Sequence, residues 1–212
     1  MARLVLICVL CGQLALGDLL GELNRTKMYE ALYRSGYHSQ LGLSHAGPLI
    51  KHFVNPAYAH VPDRARTRVL DVGCSHGRGV EMLWRHGYCG GGSDLAQTAV
   101  DMAIKARVPS AAIVARCGPA SGAEIFRQGS AAALPWPSRH FAAIISTDVL
   151  EHVPEPLIPS VVREFARVAR DKLFLMIATQ PEGASIRRGH EVHREELRAQ
   201  VFSGGDGIRV IC

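Results

Sequence analysis

The residues most suited to chemistry lie in a glycine-rich segment near the middle of the chain. Residues 69–72 (VLDV) form a short apolar run, and residues 73–77 (GCSHG) follow it directly before a helix-length segment. An apolar strand that runs into a glycine turn and then a helix makes a ligand site at the carboxyl edge of a sheet. Glycine lets a ligand approach the backbone closely and also accepts a positive φ. Because tight strand-to-helix turns use glycine for purely structural reasons as well, the turn alone is weak evidence.

Asp94 strengthens the prediction of a ligand site. It ends the next strand-like run, about 20 residues after the turn, where a carboxylate binds the ribose hydroxyls of a nucleoside cofactor. Taken alone, Asp94 fits equally well as the N-cap of a helix that starts near Ala96. Together with the glycine turn, Asp94 favours the ribose interpretation.

The surrounding pattern predicts the elements that must position these residues. From residue 69 onward, short runs of strand type alternate with helix-length segments, which is typical of βαβ units on a parallel sheet. The predicted strands span residues 69–72, 91–94, 125–128, 142–146, 173–178 and 208–211, and the predicted helices span residues 79–86, 96–107 and 157–169. The order predicts one α/β domain at residues 61–212, with a doubly wound, mostly parallel sheet.

Residues 1–17 differ from the rest of the chain. Arg3 precedes a nearly continuous apolar run at residues 4–16, and residues 15–17 (ALG) resemble a small-residue cleavage site. This pattern is typical of a secretory signal or a membrane-directing segment. The run is shorter than the ~20 apolar residues of a membrane-spanning helix. An apolar helix packed on the domain is the alternative, so the location stays open between a secretory or membrane-associated one and the cytoplasm.

Residues 18–60 predict an N-terminal helical cap of short helices and turns. Apolar residues recur at helical spacing, and glycines and prolines interrupt the segment. Its aromatic residues either line an acceptor pocket or pack the cap against the sheet, and packing is the favoured interpretation. These aromatic residues are Tyr29, Tyr33, Tyr37, Phe53 and Tyr58.

Composition excludes several classes of protein. With 48% hydrophobic and 20% charged residues, the 212-residue chain is globular rather than disordered or collagen-like. The net charge of +5 comes from scattered basic residues, and only 6% of the residues are aromatic, so no nucleic-acid partner is predicted.

The six cysteines give little guidance on compartment. Cys8 and Cys11 lie inside the apolar N-terminal run, and the other four lack the paired spacing of a zinc site. A domain of this size needs no disulfide to be stable. The sequence Asn24-Arg25-Thr26 is an acceptor for N-linked glycosylation only if the chain enters the secretory lumen.

Four segments resemble motifs of class I S-adenosylmethionine-dependent methyltransferases of the small-molecule, methyltransferase-11-like type. Residues 69–83 resemble the first motif, 128–137 the third-strand segment, 141–153 the fourth strand and its loop, and 164–168 the next helix. The resemblance covers residues 66–197 and keeps the order of the motifs. It implies a Rossmann-like fold, S-adenosyl-L-methionine as the cofactor and methyl transfer to a small-molecule acceptor. A nicotinamide-dependent oxidoreductase would share the turn and Asp94 but not the later segments, and is disfavoured.

The resemblance also implies a cofactor site. Asp71, Gly73 and Gly77 would surround the methionine end. Asp94 would hold the ribose, Leu95 would lie against adenine, and Ser130 with Ala131 would face the adenine edge. The complete implied set is Asp71, Gly73, Ser75, Gly77, Asp94, Leu95, Ser130, Ala131 and Thr147.

Three positions depart from the family pattern. Ser75 replaces a glycine, while Ser130 and Ala142 each replace an aspartate. The family usually ends in a β-hairpin, of which residues 208–211 supply only the first strand, so a truncated hairpin is predicted. These departures motivate an alternative, a catalytically impaired cofactor-binding or regulatory module of the same fold.

Methyl transfer from a sulfonium is a direct displacement that needs alignment in a dry pocket and no protein nucleophile. A hydroxyl or protonated amine acceptor would profit from a general base, and imidazole suits that role. His152 is the first candidate because it follows the predicted fourth strand, and His76 is the second. His190 and His193 lack a third defined ligand, so no metal is predicted. The pattern predicts neither the acceptor nor the oligomeric state.

Overall fold

A computed structural model describes residues 16–36, 45–64, 67–118, 122–177 and 209–210. Six strands form one sheet in the order β3-β2-β1-β4-β5-β6, and every neighbouring pair is parallel. The strands are β1 (Arg68–Val72), β2 (Cys89–Asp94), β3 (Phe126–Gln128), β4 (Phe141–Thr147), β5 (Ala169–Met176) and β6 (Arg209–Val210). The α-helices are α1 (Leu16–Arg34), α2 (Ala46–Leu49), α3 (Asn55–Ala57), α4 (Arg78–Arg85), α5 (Gln97–Ala106), α6 (Ala111–Cys117), α7 (Gly122–Ile125) and α8 (Ile158–Val168).

The predicted α/β, Rossmann-like, doubly wound fold is confirmed. The chain builds β1, β2 and β3 in one direction across the sheet, then returns to add β4, β5 and β6 on the other side of β1. The reversal lies between β1 and β4, and ligands bind at the carboxyl ends of the strands at such a point. Val72 of β1 stands in register with Ser93 of β2 and Ser146 of β4, so three carboxyl ends meet at one edge.

Apolar residues cover both faces of the sheet, as expected of parallel strands. Side chains alternate along β1: Leu70 joins a core cluster with Phe165 of α8, while Val69 joins a cluster with Leu49 and Ile50 on the opposite face. Because both faces of the sheet are covered, a ligand can reach the sheet at the edge formed by the loops.

The predicted N-terminal cap is more regular than expected. Instead of several short helices, α1 runs for 19 residues, and Gly36 with φ of +77° follows its end. Tyr33 packs against Ala96 and Ala99 at the start of α5. From residue 46 a second helical stretch continues through a π-helical turn, Ile50–Val54, into α3.

Some predicted features lie outside the described residues. These are residues 1–15, Tyr37, the end of the fifth predicted strand at Ala178, and most of the C-terminal hairpin region. Within the described part of the chain, no helix is both long enough and apolar enough to cross a membrane.

A disulfide joins Cys89, the first residue of β2, to Cys117, the last residue of α6. The expectation that the domain dispenses with disulfides is therefore wrong. The sequence also failed to predict α6, which buries none of its seven residues. Besides the disulfide, Arg116 ties α6 to the domain by donating a hydrogen bond to the Trp84 carbonyl at 3.0 Å.

Breaking this disulfide is expected to lower the free energy of unfolding by about 3 kcal/mol, because the cross-link restricts the unfolded chain. Urea unfolding of the oxidised and the reduced protein measures the difference. The Cys89→Ser/Cys117→Ser variant is the control and should not respond to reductant. Equal stability of the oxidised and reduced wild-type protein would show that the bond constrains nothing.

Candidate active site at the carboxyl edge of the sheet

The glycine-rich turn leaves β1 and is fastened to the end of β2. The backbone N–H groups of Gly73 and Cys74 both donate to the Ser93 carbonyl, at 2.8 and 3.0 Å. Gly73 and Gly77 have φ of +77° and +79°, a region that favours glycine. Ser75 has φ of +49°, so it holds a strained conformation where the resembling family has glycine.

The protein itself requires glycine at two positions of this segment. A Cβ on Gly73 would lie 2.2 Å from Cγ2 of Val149, and a Cβ on Gly79 would lie 2.1 Å from Oδ2 of Asp71. These contacts support the structural interpretation of the glycines directly. Close approach of a cofactor to Gly73 stays a prediction that needs a separate test.

Asp94 connects the turn, α1 and α5. Its Oδ2 accepts hydrogen bonds from the Ser75 N–H at 2.9 Å and from the Tyr33 hydroxyl at 3.5 Å, while Oδ1 accepts from the Ala96 N–H at 3.0 Å. Burial raises the pKa of Asp94, and the N–H donors of Ala96 and Ser75 oppose that rise. The contact with Ala96 fits the capping interpretation. These contacts use three of the about four lone-pair sites of the carboxylate, and the Leu95 N–H is a further donor, so a ribose hydroxyl would have to share an oxygen with one of these donors.

Tyr33 belongs to the aromatic residues predicted to pack the cap or, as the less favoured interpretation, to line an acceptor pocket, and it also reaches Asp94. Its ring is 7% exposed and its hydroxyl faces Asp94. Burial first, and then the Asp94 carboxylate, raise the pKa of Tyr33 above its ordinary value. The tyrosine therefore stays protonated and donates to Asp94 from the cap.

Asp71 is a second buried carboxyl group beneath the turn. It is 4% exposed, and burial with a smaller contribution from Asp94 raises its pKa to about 8. Two neighbouring acids in one buried site favour protonation of one of them. The arrangement suits a ligand with positive charge, which would relieve the repulsion.

The raised pKa of Asp71 predicts a pH-dependent stability. The pKa of Asp71 is near 8 in the folded protein and has an ordinary value of 3.8. Its contribution to the unfolding free energy is therefore fully present below pH 3.8 and is lost as the pH rises through about 8. The unfolding free energy of the wild-type protein should fall between about pH 5 and about pH 8. In Asp71→Asn this fall should be smaller by at least ~1 kcal/mol. Urea unfolding at both pH values measures it, with the exposed Asp101→Asn as control. An unchanged pH slope would contradict the buried, protonated state of Asp71.

The predicted adenine-side residues meet at the ends of β2 and β3. The Gly129 N–H donates to the Asp94 carbonyl at 2.9 Å, and the Gln128 side-chain amide donates to the Leu95 carbonyl at 3.2 Å. Ser130 follows directly and accepts a hydrogen bond from the Ala132 N–H through its hydroxyl at 3.1 Å. Asp94, Leu95 and Ser130 therefore lie close together, with Ala131 packed partly against the core.

Restoring an aspartate at position 130 is expected to raise the affinity for S-adenosyl-L-methionine severalfold. A carboxylate can accept from the adenine amino group, which contributes about 0.5–1.5 kcal/mol, and it can keep the contact with the Ala132 N–H. Calorimetric titration of wild type, Ser130→Asp and the uncharged control Ser130→Asn tests this. Distinctly weaker binding by a folded Ser130→Asp protein would show that Ser130 does not face adenine.

Ala142, the third departure from the family pattern, lies away from this edge. It is the second residue of β4, at the opposite end of the strand from Thr147. Its carbonyl accepts a hydrogen bond from the Tyr58 hydroxyl at 3.3 Å, so the cap packs there. The substitution therefore leaves the carboxyl edge unchanged.

The loop after β4 carries one histidine, His152. Thr147 ends the strand, Asp148 follows with φ of +56°, and His152 ends the 3-10 helix Leu150–His152 in a partly buried position. Sequence analysis missed His45, whose Nδ1 is hydrogen-bonded to Oδ2 of Asp148. The two residues are 103 positions apart, so no local pattern indicates the pair.

His76, the second candidate base, lies in the glycine turn. Its Nδ1 is 2.9 Å from the Ser75 hydroxyl, and its carbonyl accepts from Arg107 at 3.2 Å. These contacts favour a role in shaping the turn. Among the described residues, no cluster of His, Cys, Asp and Glu has the geometry of a metal site. His190 and His193 lie outside those residues.

The fold and the site define a nucleotide-cofactor-binding α/β domain of the doubly wound class. The model of the methyltransferase domain family matches residues 70–177, about half of the chain, and the protein belongs to this family. Its cofactor is S-adenosyl-L-methionine. No curated protein matches the sequence.

Several solved structures are similar to this chain. The YcgJ protein from Bacillus subtilis is 21% identical over 72% of this chain and 67% of its own, with a TM-score of 0.50. An S-adenosylmethionine-dependent methyltransferase from Methanosarcina mazei is 23% identical over 57% of this chain and 55% of its own, with a TM-score of 0.45. One from Mesorhizobium loti is 21% identical over 57% and 51%, with a TM-score of 0.40. The chain thus spans between about half and two thirds of these structures.

The residues at the carboxyl edge fit the cofactor of the family. A buried carboxylate stands at the end of β2, where ribose hydroxyls would need an acceptor. A cationic amino acid moiety beside Asp71 would favour the ionised form of this carboxyl group, so the site beneath the turn suits such a ligand. Asp94 would hold the ribose, Leu95 and Ser130 the adenine, and the turn the methionine end.

Proposed function

We propose that this protein is an active enzyme that transfers the methyl group of S-adenosyl-L-methionine to a small-molecule acceptor. The observation that carries the proposal is the meeting of the glycine turn, Asp94 and the histidine-bearing loop after β4 at one edge of the sheet. Membership in the methyltransferase domain family supports the same chemistry. The bound cofactor supplies an activated methyl group on a sulfonium.

The residues of the chain then have three tasks. Asp94 and Asp71 bind and orient the hydroxylated and charged parts of the cofactor. The glycine turn contacts the methionine end of the cofactor through its backbone. Val149, whose side chain lies beside Gly73, would help to keep water from the end of β1. Alignment in a dry site accounts for most of the acceleration of a direct displacement.

The loop after β4 receives the acceptor in this proposal. His152 is partly buried directly after β4, so it can take a proton from a hydroxyl or protonated amine as the acceptor attacks. The His45–Asp148 pair stands at the same loop. It supplies a second imidazole that is oriented by a carboxylate.

Binding and turnover are tested in sequence. Equilibrium titration with S-adenosyl-L-methionine and with NAD separates a methyltransferase from a nicotinamide enzyme, and only the first ligand should bind. A metabolite library with methyl-labelled cofactor then detects transfer. Binding without any methyl release across the library would favour the catalytically impaired or regulatory module.

The role of His152 is tested on the first acceptor that the library yields. His152→Asn should lower kcat by about two orders of magnitude, which is the lower range for general-base catalysis, and leave cofactor affinity unchanged. His52→Asn is the matched control, because His52 is exposed on the π-helical turn Ile50–Val54, away from the site. Unchanged turnover in His152→Asn would remove His152 from the mechanism.

A further inference from the structure

Two features outside the cofactor site are both typical of proteins that enter the secretory lumen. One is the disulfide between Cys89 and Cys117. The other is the sequence Asn24-Arg25-Thr26 on α1, the one N-x-Ser/Thr acceptor for N-linked glycosylation in the chain. Disulfides persist in oxidising compartments and are rare in the cytosol. N-linked glycans are attached to chains that enter the secretory lumen.

The disulfide has the properties of a structural cross-link. Cys89 is 8% exposed and begins β2, so it lies at the opposite end of the strand from Asp94. Its partner is 28 residues away rather than in a C-x-x-C motif. Because α6 has no fully buried residue, the cross-link adds to the Arg116 hydrogen bond and the partly buried Ile113 in fastening this helix to the edge of the domain. A role of the bond in holding the fold therefore accounts for its position better than a redox reaction at the active site.

Asn24 is placed so that a glycan would not disturb the fold. Its side chain is exposed on α1, with Leu23 and Lys27 exposed beside it. Nine residues separate Asn24 from Tyr33, which is about two and a half helical turns. Asn24 therefore projects from the face of α1 opposite the one that Tyr33 packs against α5. An oligosaccharide at Asn24 would extend into solvent and leave the Tyr33–Asp94 contact in place.

The N-terminal sequence agrees with these two observations. Arg3, the apolar run at residues 4–16 and the small-residue site at residues 15–17 are typical of a segment that directs a chain into the secretory pathway. Removal of residues 1–17 would leave Asp18 as the first residue and keep Asn24 on the remaining length of α1.

We propose that this chain folds in the lumen of the secretory pathway, where Asn24 is N-glycosylated and Cys89 is oxidised together with Cys117. In the first step the Asn24 side-chain nitrogen forms a bond to the anomeric carbon of a lipid pyrophosphate-linked oligosaccharide. The bond from that carbon to the phosphate breaks, and the amide proton leaves to solvent. In the second step the two thiols lose two protons and two electrons to a disulfide-bearing protein of the lumen, which is reduced to its dithiol.

The glycosylation is tested with the full chain carrying a C-terminal tag, expressed in yeast or insect cells. An N-glycan-removing amidase should increase the gel mobility of the wild-type protein by the mass of one glycan. Thr26→Ser keeps the acceptor sequence and should keep the shift, whereas Asn24→Gln and Thr26→Ala should lose it. Thr26→Ser is also the structural control, because a serine can keep the hydrogen bond that Thr26 donates to the Glu22 carbonyl at 2.9 Å.

The disulfide is tested in the same preparations. Denatured protein is labelled with a maleimide-linked polymer before and after reduction, and the wild-type protein should gain two labels from Cys89 and Cys117 on reduction. The Cys89→Ser/Cys117→Ser variant should lack this gain. Absence of the glycan shift in the wild-type protein, or free thiols at both cysteines before reduction, would each overturn the proposal. Neither readout depends on methyl transfer, so the result is independent of the proposed enzymatic activity.

Discussion

Replacing Asp94 by alanine is expected to weaken the binding of S-adenosyl-L-methionine by at least about tenfold. A hydrogen bond to a charged group contributes about 1.5–3 kcal/mol, and the ribose would lose one or two such bonds. The carboxylate is buried at the end of β2, where water competes little for those bonds. Isothermal titration of both proteins at matched pH and salt measures the change.

This experiment needs a control for folding, since Asp94 also accepts from the N–H groups of Ser75 and Ala96. Thermal unfolding should be recorded for every variant. Asp101→Ala is the matched control, because Asp101 is exposed on α5 and accepts a hydrogen bond from Gln97 of the same helix at 2.7 Å. If a folded Asp94→Ala protein binds the cofactor as tightly as Asp101→Ala does, Asp94 is a capping residue and not the ribose ligand.

Gly73→Ala is expected to destabilise the protein by about 2–5 kcal/mol and to abolish cofactor binding. A side chain at φ of +77° costs about 1–2 kcal/mol. The new Cβ would also lie 2.2 Å from Cγ2 of Val149, and overpacking of that kind costs about 1–3 kcal/mol. Urea unfolding and cofactor titration measure the two effects.

A second substitution separates the structural from the cofactor-binding role of Gly73. Val149→Ala removes the Cγ2 atom that the new Cβ would meet. The Gly73→Ala/Val149→Ala double variant should therefore recover the stability that Gly73→Ala loses to overpacking. If the cofactor needs the space over Gly73, the double variant still binds poorly. Val149→Ala alone is the control. Normal binding by a refolded double variant would mean that the glycine serves the turn only.

The sequence predicted best those elements that bury an apolar pattern. Residues 69–72 are buried on both faces of the sheet in the structure, and their short, largely apolar run before the glycine turn had indicated a strand. The helix at residues 157–169 was predicted as a helix-length segment between two strands, and α8 buries Val161 and Phe165 against the core with apolar residues at helical spacing. Periodicity and burial are linked physically, so such elements can be read from the chain.

Features that depend on contacts between distant residues could not be predicted in the same way. Nothing in the spacing of Cys89 and Cys117 indicates that they meet, and α6 has no buried face to give a periodic signal. The His45–Asp148 contact likewise arises only when the cap and the loop after β4 come together. The ligand-binding role of Asp94 was inferred from its position after β1, but its contact with Tyr33 required the structure.

The contact between Tyr33 and Asp94 has a consequence for how the cofactor and the N-terminal helix influence each other. Tyr33 on α1 donates to the carboxylate that would hold the ribose, and Glu30 on the same helix accepts from the Thr98 N–H at 3.3 Å at the start of α5. If Asp94 holds the ribose as proposed, occupancy of the ribose position and docking of α1 are thermodynamically linked. Linkage is reciprocal: whatever steadies α1 on the domain changes cofactor affinity, and cofactor binding changes the stability of the docked helix by the same free energy.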